Sequence, residues 1–299
     1  MAGKCYAAID IGSNAVRLLI KKEKTRACLE SKKFDKLLLL RVPLRLGFDV
    51  FEKGEISDVK TKKLCRLMKS YRHMMHIYDV DEYRACATSA MRDAKNGSDI
   101  IKKIYKDTGI NIEIINGQEE AQMIYGNHIE CTQDREGNFI YVDVGGGSTE
   151  LNLISNGNLI FSKSFNIGTV RYLSHAVDES IWKNIEKELE KYTKNLEDIN
   201  IIGSGGNINK LYRLAFEKDI KAESFSVDQL KPLCEDLEGL SIDERMEKYA
   251  LKSDRADVIV PAARIFLFIA KLTKAKQIYV PTMGLADGII DKLYEQNHC

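Results

Sequence analysis

The sequence lacks the features that mark several protein classes. Its seven cysteines are scattered from Cys5 to Cys299 without a CxxC pair, which argues against both a disulfide framework and a zinc site. No stretch approaches the roughly 20 consecutive apolar residues that span a bilayer, and the N-terminus has no signal-peptide layout. These absences predict a cytoplasmic protein without membrane contacts.

An excess of charge of one sign is also missing. The 45 basic and 44 acidic side chains give a formal net charge of +1, so no global field predicts binding to nucleic acid. A polyanion would therefore have to be bound by local charge. The length of 299 residues suits two domains, each large enough to bury a core of its own.

Two similar hairpins indicate a duplicated domain. The segment from Tyr6 to Ile20 predicts two strands joined by a tight turn whose residues suit positive φ. The segment from Phe139 to Phe165 repeats this design with a glycine turn and adds a third strand. Alignment of the hairpins places Asp10 over Asp143 and Gly12 over Gly145, a repeat separated by about 130 residues.

The rest of the chain alternates short strands with amphipathic helices. Apolar residues recur at helical spacing from Leu64 to Met75 and from Ile181 to Leu196. With the short strands, they predict an α/β fold of two duplicated domains that share a cleft. We expect one domain over residues 1–124 and the other over 125–299, with the helix at 285–299 a candidate to pack back onto the first.

The segment VDVGGGSTE carries the strongest chemical signal. Gly145, Gly146 and Gly147 follow a predicted buried strand and let backbone amides turn toward an anion, because no Cβ intervenes. Ser148 and Thr149 add hydroxyl donors. The segment is not a Walker A loop, since no GK[ST] follows and a strand comes next. The alternative is a glycine-rich β-turn without a ligand.

Carboxylates and a second loop complete this prediction. Asp143 and Glu150 flank the glycines and can bind a hydrated Mg²⁺ that neutralises phosphate charge. Gly12, Ser13 and Asn14 in the first hairpin are candidates to hold phosphate from the opposite side. Taken alone, the first hairpin could equally be a simple type I′ connection.

The segment INGQEEAQMIYG predicts a helix that carries a candidate base. Asn116 followed by Glu119 forms a capping-box pattern, which gives Glu119 a structural role. Glu120 is then the spare carboxylate, and it shares a helical face with Ile124. Partial burial would raise its proton affinity toward that of a general base. The alternative is a pair of solvated acids that complement the helix N-terminus.

The segment ATSAMRDA is a candidate phosphate site. Thr88 or Ser89 can cap a helix whose first turn would carry Arg92, where a cation opposes the helix dipole unless an anion is bound. Pairing of Arg92 with Asp93 is the alternative.

The segment IIGSGGN predicts a strand, a glycine turn and a helix. Gly205 in that turn could lie along a phosphate chain. Close packing between helix and sheet explains such glycines equally well.

Nine segments together resemble the exopolyphosphatase and guanosine pentaphosphate phosphohydrolase family, almost over the whole chain and in order. They are AAIDIGSNAVRLLI, RLG, ATSAMRDA, INGQEEAQMIYG, VDVGGGSTEL, NIGTVR, IIGSGGNINKL, RADVIVPAARI and MGLADGII. The resemblance implies an actin-like fold of two ribonuclease-H-like domains. It also implies Mg²⁺-dependent release of a terminal phosphate from inorganic polyphosphate, or of the 5′ γ-phosphate from guanosine pentaphosphate.

The resemblance assigns a role to each candidate residue. Glu120 corresponds to the base that activates water, Arg92 to a phosphate-binding arginine, and Asp143 and Glu150 to metal-linked acids, with Asp10 near the metal. The chain departs from the family pattern at Ala15-Val16 and at Ala286, which puts substrate preference in question more than catalysis.

Exopolyphosphatase activity is the leading hypothesis from the sequence. Guanosine pentaphosphate hydrolysis at the same site, a regulator that only binds a phosphate chain, and a kinase are the alternatives, and homodimerisation is left open. Longer relatives continue into a helical domain beyond the position of Cys299, where this sequence ends. We therefore expect distributive hydrolysis with short chains favoured.

Overall fold

The computed structural model describes residues 3–24, 33–129, 137–216, 224–281 and 284–298. The chain divides into two compact units, Met1–Asn127 together with Leu285–Cys299, and His128–Gly284. No helix in the described part of the chain combines the length and the apolar character of a bilayer-spanning segment. Met283 of the closing motif lies outside the described residues.

The first unit contains a five-stranded sheet in the order β3-β2-β1-β4-β5. Its strands are β1 (Cys5–Ile11), β2 (Val16–Glu23), β3 (Phe34–Val42), β4 (Glu82–Ala87) and β5 (Ile112–Ile114). Neighbouring strands among β1, β2 and β3 are antiparallel, whereas β4 is parallel to β1 and β5 is parallel to β4. The helices are α1 (Leu46–Lys53), α2 (Asp58–Ile77), α3 (Ser89–Asp93), α4 (Gly97–Thr108) and α5 (Gly117–Ile129).

The second unit contains a six-stranded sheet in the order β10-β11-β9-β6-β7-β8. Its strands are β6 (Asn138–Val144), β7 (Thr149–Ser155), β8 (Asn158–Phe165), β9 (Asn200–Ser204), β10 (Ser224–Ser226) and β11 (Gln277–Tyr279). Its helices are α6 (Thr169–Leu173), α7 (Ser180–Thr193), α8 (Gly206–Ala215), α9 (Val227–Gly239), α10 (Ile242–Tyr249), α11 (Ser253–Ala256) and α12 (Ile259–Thr273). The C-terminal helix α13 (Leu285–His298) belongs to the first unit.

The two sheets share one topology. The order β3-β2-β1-β4-β5 corresponds strand by strand to β8-β7-β6-β9-β11, and β10 is an additional edge strand. In both sheets a three-stranded antiparallel meander is followed by strands that run parallel to its first member. The predicted α/β fold with a duplicated architecture is confirmed.

The central strand β1 is buried on both faces because helices cover each side of the sheet. Ala7 and Ile9 point into a core that includes the α2 residues Leu64 and Met68. Their neighbours point the other way, and Tyr6 packs in a second cluster with residues of α13. This alternation has the period of two that a strand imposes. Helix α13 is therefore part of the first unit's core.

A buried ion pair also holds α13 against the sheet. Lys21 Nζ on β2 lies 2.7 Å from Asp287 Oδ1 on α13, and each side chain is only 11% exposed. The ring of Phe34 lies under the ammonium, 5.6 Å from Lys21 Nζ to the ring centroid. Lys21 would be costly to bury alone, so the acid and the ring together permit its position.

Candidate active site

The two hairpins end in turns with the same hydrogen bond. The Gly12 amide donates to the Ala15 carbonyl at 3.1 Å, and the Gly145 amide donates to the Ser148 carbonyl at 3.0 Å. Positive φ was predicted for the first turn, and this prediction is wrong, since none of its residues has a left-handed backbone. A type I′ connection, which needs two positive φ values, is therefore excluded there.

The carbonyl oxygens of the three glycines in the second turn face the start of α6. Amides of residues 169–171 donate to Gly145 O and Gly146 O at 2.8 to 3.0 Å. The side chain of Arg171 donates from Nε to Gly147 O at 2.8 Å. Helix α6 thus donates hydrogen bonds to the carbonyl oxygens of all three glycines.

The first turn is held in the same way by α1, which occupies the equivalent place in its unit. The Gly47 amide donates to Ser13 O at 2.8 Å, and the Arg45 amide donates to Asn14 O at 2.9 Å. The Ser13 hydroxyl, which is buried, also forms a 2.8 Å hydrogen bond with the hydroxyl of Ser89 at the start of α3. The repeat therefore includes the helix that supports each turn.

The hydrogen bonds to the turn carbonyls also determine where the turn amides point. In a trans peptide the C=O and N–H point in opposite directions. Carbonyls bound by α6 therefore direct the amides of Gly146, Gly147 and Ser148 away from that helix. By the same argument the amides of Asn14 and Ala15 point away from the start of α1. Each turn presents consecutive amides on one side, an arrangement that suits an anion.

One glycine outside the predicted site makes this arrangement of the second turn possible. A Cβ on Gly168, at the N-cap of α6, would lie 2.5 Å from the carbonyl carbon of Gly146 and 2.5 Å from the nitrogen of Gly147. No side chain fits there without a backbone shift. Gly168 lies in the NIGTVR segment, so the sequence contained a signal for it.

The carboxylates of Asp143 and Glu150 lie on neighbouring strands as a directly opposed pair. Asp143 Oδ2 accepts a hydrogen bond from Ser204 at 3.2 Å, and Glu150 Oε1 accepts one from Ser164 at 2.8 Å. Glu150 is buried. Like charges in directly opposed positions destabilise a sheet unless a cation reduces their repulsion. Both serines were missed from the sequence.

Gly205 lies against the same carboxylate. Its φ is 99°, a conformation that favours glycine, and a Cβ there would lie 2.9 Å from Asp143 Oδ1. Gly203 has a different role, because a Cβ there would meet Ile208 at 2.8 Å and Phe266 at 3.2 Å. Close packing between helix and sheet therefore accounts for Gly203 but not for Gly205.

The oxygen donors of the second unit fit a magnesium ion better than a zinc ion. Within the described residues no group of three or more His, Cys, Asp and Glu side chains could hold a metal. Mg²⁺ commonly binds through one or two carboxylates, water and substrate phosphates. The pair of Asp143 and Glu150 meets that requirement. Asp10 differs, since its buried carboxylate lies 2.6 Å from Arg17 Nη1.

Glu120 lies in the first turn of α5 and is buried, with 8% of its surface exposed. Of the two hydrogen bonds in the predicted capping box, the structure forms the one from the Glu119 amide to Asn116. Asn116 Oδ1 accepts from the Glu119 amide at 2.9 Å, but the Glu119 side chain accepts from Arg84 at 2.9 Å. The side chain of Ile124, predicted to share a face with Glu120, lies outside the described residues.

Arg92 is the fourth of the five residues of α3, so it lies in the first turn as predicted and also in the last turn. A helix this short has only a small dipole, which makes the expected conflict with Arg92 weak. Thr88 makes no side-chain cap. Arg92 Nη1 donates to the carbonyl of Ile115 at 3.0 Å, while its Nε lies 3.9 Å from Asp93. Arg92 thus contacts the segment that leads into α5.

Contacts connect several of the predicted residues within each unit. In the first unit, Ser13 contacts Ser89 of α3, and Arg92 of α3 contacts Ile115 just before α5. In the second unit, Asp143 lies beside Gly205 and opposite Glu150. The sequence reasoning missed Arg17, Arg84 and Arg171. Arg17 and Arg171 each lie in a segment that carries the resemblance, AAIDIGSNAVRLLI and NIGTVR, and Arg84 lies on the strand that leads into ATSAMRDA.

Comparisons with known proteins agree with this topology. A model of the Ppx/GppA phosphatase family matches residues 29–297. The chain is 30% identical over 241 residues to a bifunctional 3-dehydroquinate synthase/phosphatase of Fusobacterium nucleatum, covering 79% of this chain and 31% of that protein. It is 24% identical over 306 residues to a guanosine-5′-triphosphate,3′-diphosphate pyrophosphatase of Aeromonas hydrophila, covering 98% and 60%. The chain thus spans less than two thirds of these relatives.

Two crystal structures have similar folds. A Ppx/GppA family member of Aquifex aeolicus has a TM-score of 0.77 at 25% identity, and the match covers 99% of both chains. An exopolyphosphatase of Cytophaga hutchinsonii has a TM-score of 0.86 at 23% identity and 98% coverage of both chains, a likeness of fold. The family model matches far more than half of the chain, and the structural match to the Aquifex protein extends over both units. The chain therefore belongs to the Ppx/GppA phosphatase family.

Proposed function

We propose that this protein is an exopolyphosphatase, which hydrolyses the terminal phosphoanhydride bond of inorganic polyphosphate with Mg²⁺. The observation that supports this most strongly is the pair of equivalent turns with carbonyls bound by α1 and α6. Each turn directs consecutive amides to one side. Consecutive amides on one side suit the oxygens of a phosphate group, so each turn is a candidate to bind a phosphate.

The phosphate-binding groups follow from these turns. Backbone amides around Gly12, Ser13 and Asn14 would hold one part of the phosphate chain. Those of residues 145–147, with the hydroxyls of Ser148 and Thr149, would hold another. Gly205 leaves room for a ligand oxygen beside Asp143, and Arg92 would add a cation near the start of α5.

Glu120 is the proposed general base. It is buried on α5, and it would accept a proton from the water that attacks the terminal phosphorus. The bridging oxygen then leaves on the shortened chain as the P–O bond breaks. Little covalent chemistry is required of the protein, since positioning and charge stabilisation dominate phosphoryl transfer.

Asp143 and Glu150 are the proposed metal ligands, and Asp10 would help to orient the phosphates through Arg17. A Mg²⁺ ion bound at the acid pair would neutralise phosphate charge. Without the cation, the opposed acids would repel each other and the substrate alike.

Guanosine pentaphosphate is the second candidate substrate. One specific observation favours it, since the Aeromonas hydrophila pyrophosphatase named for guanosine-5′-triphosphate,3′-diphosphate matches 98% of this chain. The same cradles could hold its 5′ triphosphate. A third candidate, a regulator that binds phosphate chains without cleaving them, would have no use for a base at Glu120.

Phosphate release tests the proposal. Purified protein should be incubated with polyphosphate, guanosine pentaphosphate and p-nitrophenyl phosphate, each with Mg²⁺ and with EDTA. We expect release from polyphosphate to be fastest, to require Mg²⁺, and to exceed release from the monoester. Faster release from guanosine pentaphosphate would favour the second candidate. Tight binding of polyphosphate without release from any substrate would favour the regulator and contradict the proposed hydrolysis.

A further inference from the structure

We infer that Arg84 is a positioning residue for Glu120, and that it acts through Glu119 by fixing the start of helix α5. The inference rests on the proposed function, because it requires Glu120 to take part in turnover. It extends that function to residues on β4 and α5 that touch no substrate.

Arg84 links three elements through one guanidinium group. Its Nε and Nη2 donate to Glu113 Oε2 of β5 at 3.1 and 2.7 Å, and Nη2 also donates to Glu119 Oε1 of α5 at 2.9 Å. The Arg84 side chain is 13% exposed. Burial disfavours its charge, yet the hydrogen bonds to Glu113 and Glu119 raise the pKa of Arg84 above its usual value. The planar guanidinium group therefore holds β5 and α5 at a fixed distance from β4.

The backbone before α5 is fixed by three further contacts. The Ile115 amide donates to Ala87 O at 3.1 Å, and Arg92 donates to Ile115 O at 3.0 Å. Asn116 then caps the helix through the Glu119 amide. These contacts hold the chain up to Asn116, but the direction of the first helical turn depends on side chains beyond it.

The side chain of Glu119 fixes the direction of the first helical turn. Its Oε1 accepts a hydrogen bond from Arg84 and lies 4.0 Å from Lys292 Nζ of α13. Successive residues of an α-helix are rotated by about 100°, so a small change at Glu119 alters where the next side chain points. Misplacement of a reacting group by about 1 Å can cost about 10²-fold in rate. An anchor one residue before the base is therefore well placed to set turnover.

A purely electrostatic effect of these charges would look different. An acid near Glu120 favours its protonated form, and a cation favours the ionised form. If the charges act only through space, Glu119→Met lowers the pH of half-maximal turnover and Arg84→Gln raises it. If they act by position, both substitutions lower the plateau of turnover at high pH, because methionine has no carboxylate to accept the hydrogen bond from Arg84.

The experiment is a double-mutant cycle of Arg84→Gln and Glu119→Met, with kcat and KM for polyphosphate measured across pH. Lys4→Gln and Glu82→Met are matched controls, since this pair joins the same sheet at 3.0 Å and lies more exposed. We expect each test variant to lower the plateau kcat by about tenfold with KM little changed. The double variant should be no slower than either one, and the controls should have normal kcat.

Three outcomes would overturn the inference. They are a normal plateau kcat in Glu119→Met, additive losses in the double variant, or opposite shifts in pH with an unchanged plateau. Glu119→Met leaves the bond between Arg84 and Glu113 in place, so it tests the inference even if Arg84→Gln does not fold. Glu120→Gln separates the two proposals. If it is inactive while Glu119→Met is normal, only the positioning role fails, whereas an active Glu120→Gln contradicts the role of Glu120 as the base.

Discussion

Single residues set how closely the supporting helix approaches the second turn. Gly168 is the clearest case, because a Cβ there would lie 2.5 Å from two backbone atoms of the neighbouring glycines. Backbone atoms cannot move aside as a flexible side chain can. The conformation of the turn, and the direction of its amides, therefore depend on the absence of a side chain at a residue outside the turn.

We predict that Gly168→Ala lowers turnover at least tenfold and destabilises the protein by about 1 to 3 kcal/mol, the usual cost of overpacking. Phosphate release and urea unfolding measure the two effects. Gly239→Ala is the matched control, since its Cβ meets nothing within 4 Å. Normal activity in Gly168→Ala would mean that the turn need not keep this geometry.

The proposed metal ligands Asp143 and Glu150 give a prediction about the Mg²⁺ dependence of turnover. Asp143→Asn should raise the Mg²⁺ concentration needed for half-maximal turnover, because a proposed ligand loses its charge. Asp228→Asn is a suitable control, as its side chain is 88% exposed. A Mg²⁺ titration that is identical for wild type and Asp143→Asn would remove the metal assignment.

Single residues could be predicted where they stand together in one short segment, as Asp143, Glu150 and the glycines and hydroxyls between them do. The hydrogen-bond partners of the two acids, Ser204 and Ser164, could not be predicted, because they lie on other strands and meet the acids only in the folded sheet. Arg92 could be named from its segment, but its hydrogen bond to the Ile115 carbonyl forms only in the folded chain.

At the scale of elements, the support of the first turn continues into α1 and α2. Lys60 Nζ on α2 donates to the carbonyl of Arg45 at 2.6 Å and lies 2.6 Å from Asp49 Oδ1 on α1. Asp49 Oδ2 also accepts from the amide of Ser57, the N-cap of α2. One acid therefore connects two helices, and the first of them holds Ser13 and Asn14.

This connection gives a pH-dependent contribution to stability. Burial alone would raise the pKa of Asp49, but the hydrogen bonds from Lys60 and Ser57 outweigh it and lower the pKa below its usual value. Because the folded pKa is depressed, the contribution is present above the unfolded pKa of about 4 and is lost as pH falls through the folded value.

We predict that Asp49→Asn lowers the free energy of unfolding by about 1 kcal/mol at pH 7, and that the difference becomes smaller as pH falls below about 4. Urea unfolding at pH 7 and at about pH 3 measures this. Asp99→Asn, at an exposed helix pair, should have almost no effect at either pH. A difference that persists at low pH would show that Asp49 acts through packing instead of charge.

Elements were predictable where the pattern was regular. The hairpin of β6 and β7 was predicted from its glycine turn between aliphatic segments, and the stripe of α2 from helical spacing. Strand β3 was not assigned, because no glycine turn precedes its four consecutive leucines. It lies at an edge of the sheet, where both faces are partly exposed. The stripe of α7 extended to Leu196 in the sequence, but the helix ends at Thr193.

At the scale of the whole molecule, duplication explains why the candidate groups occur twice. Both units have a meander, a tight turn after its first strand, and a helix that binds the carbonyls of that turn. The copies have diverged in charge. Asp10 is opposed by Arg17 on the next strand, whereas Asp143 is opposed by Glu150. This difference supports the proposal that the first unit orients phosphate and that the second binds the metal.

The measurement that tests this account most directly is phosphate release from polyphosphate by wild type and Glu120→Gln at saturating Mg²⁺. The substitution removes the proposed base but keeps its size and polarity. We predict that kcat falls by about 10² to 10⁴-fold while KM and the unfolding temperature change little. A loss of only a few-fold, in a variant that folds normally, would contradict the role of Glu120 and with it the proposed mechanism of hydrolysis.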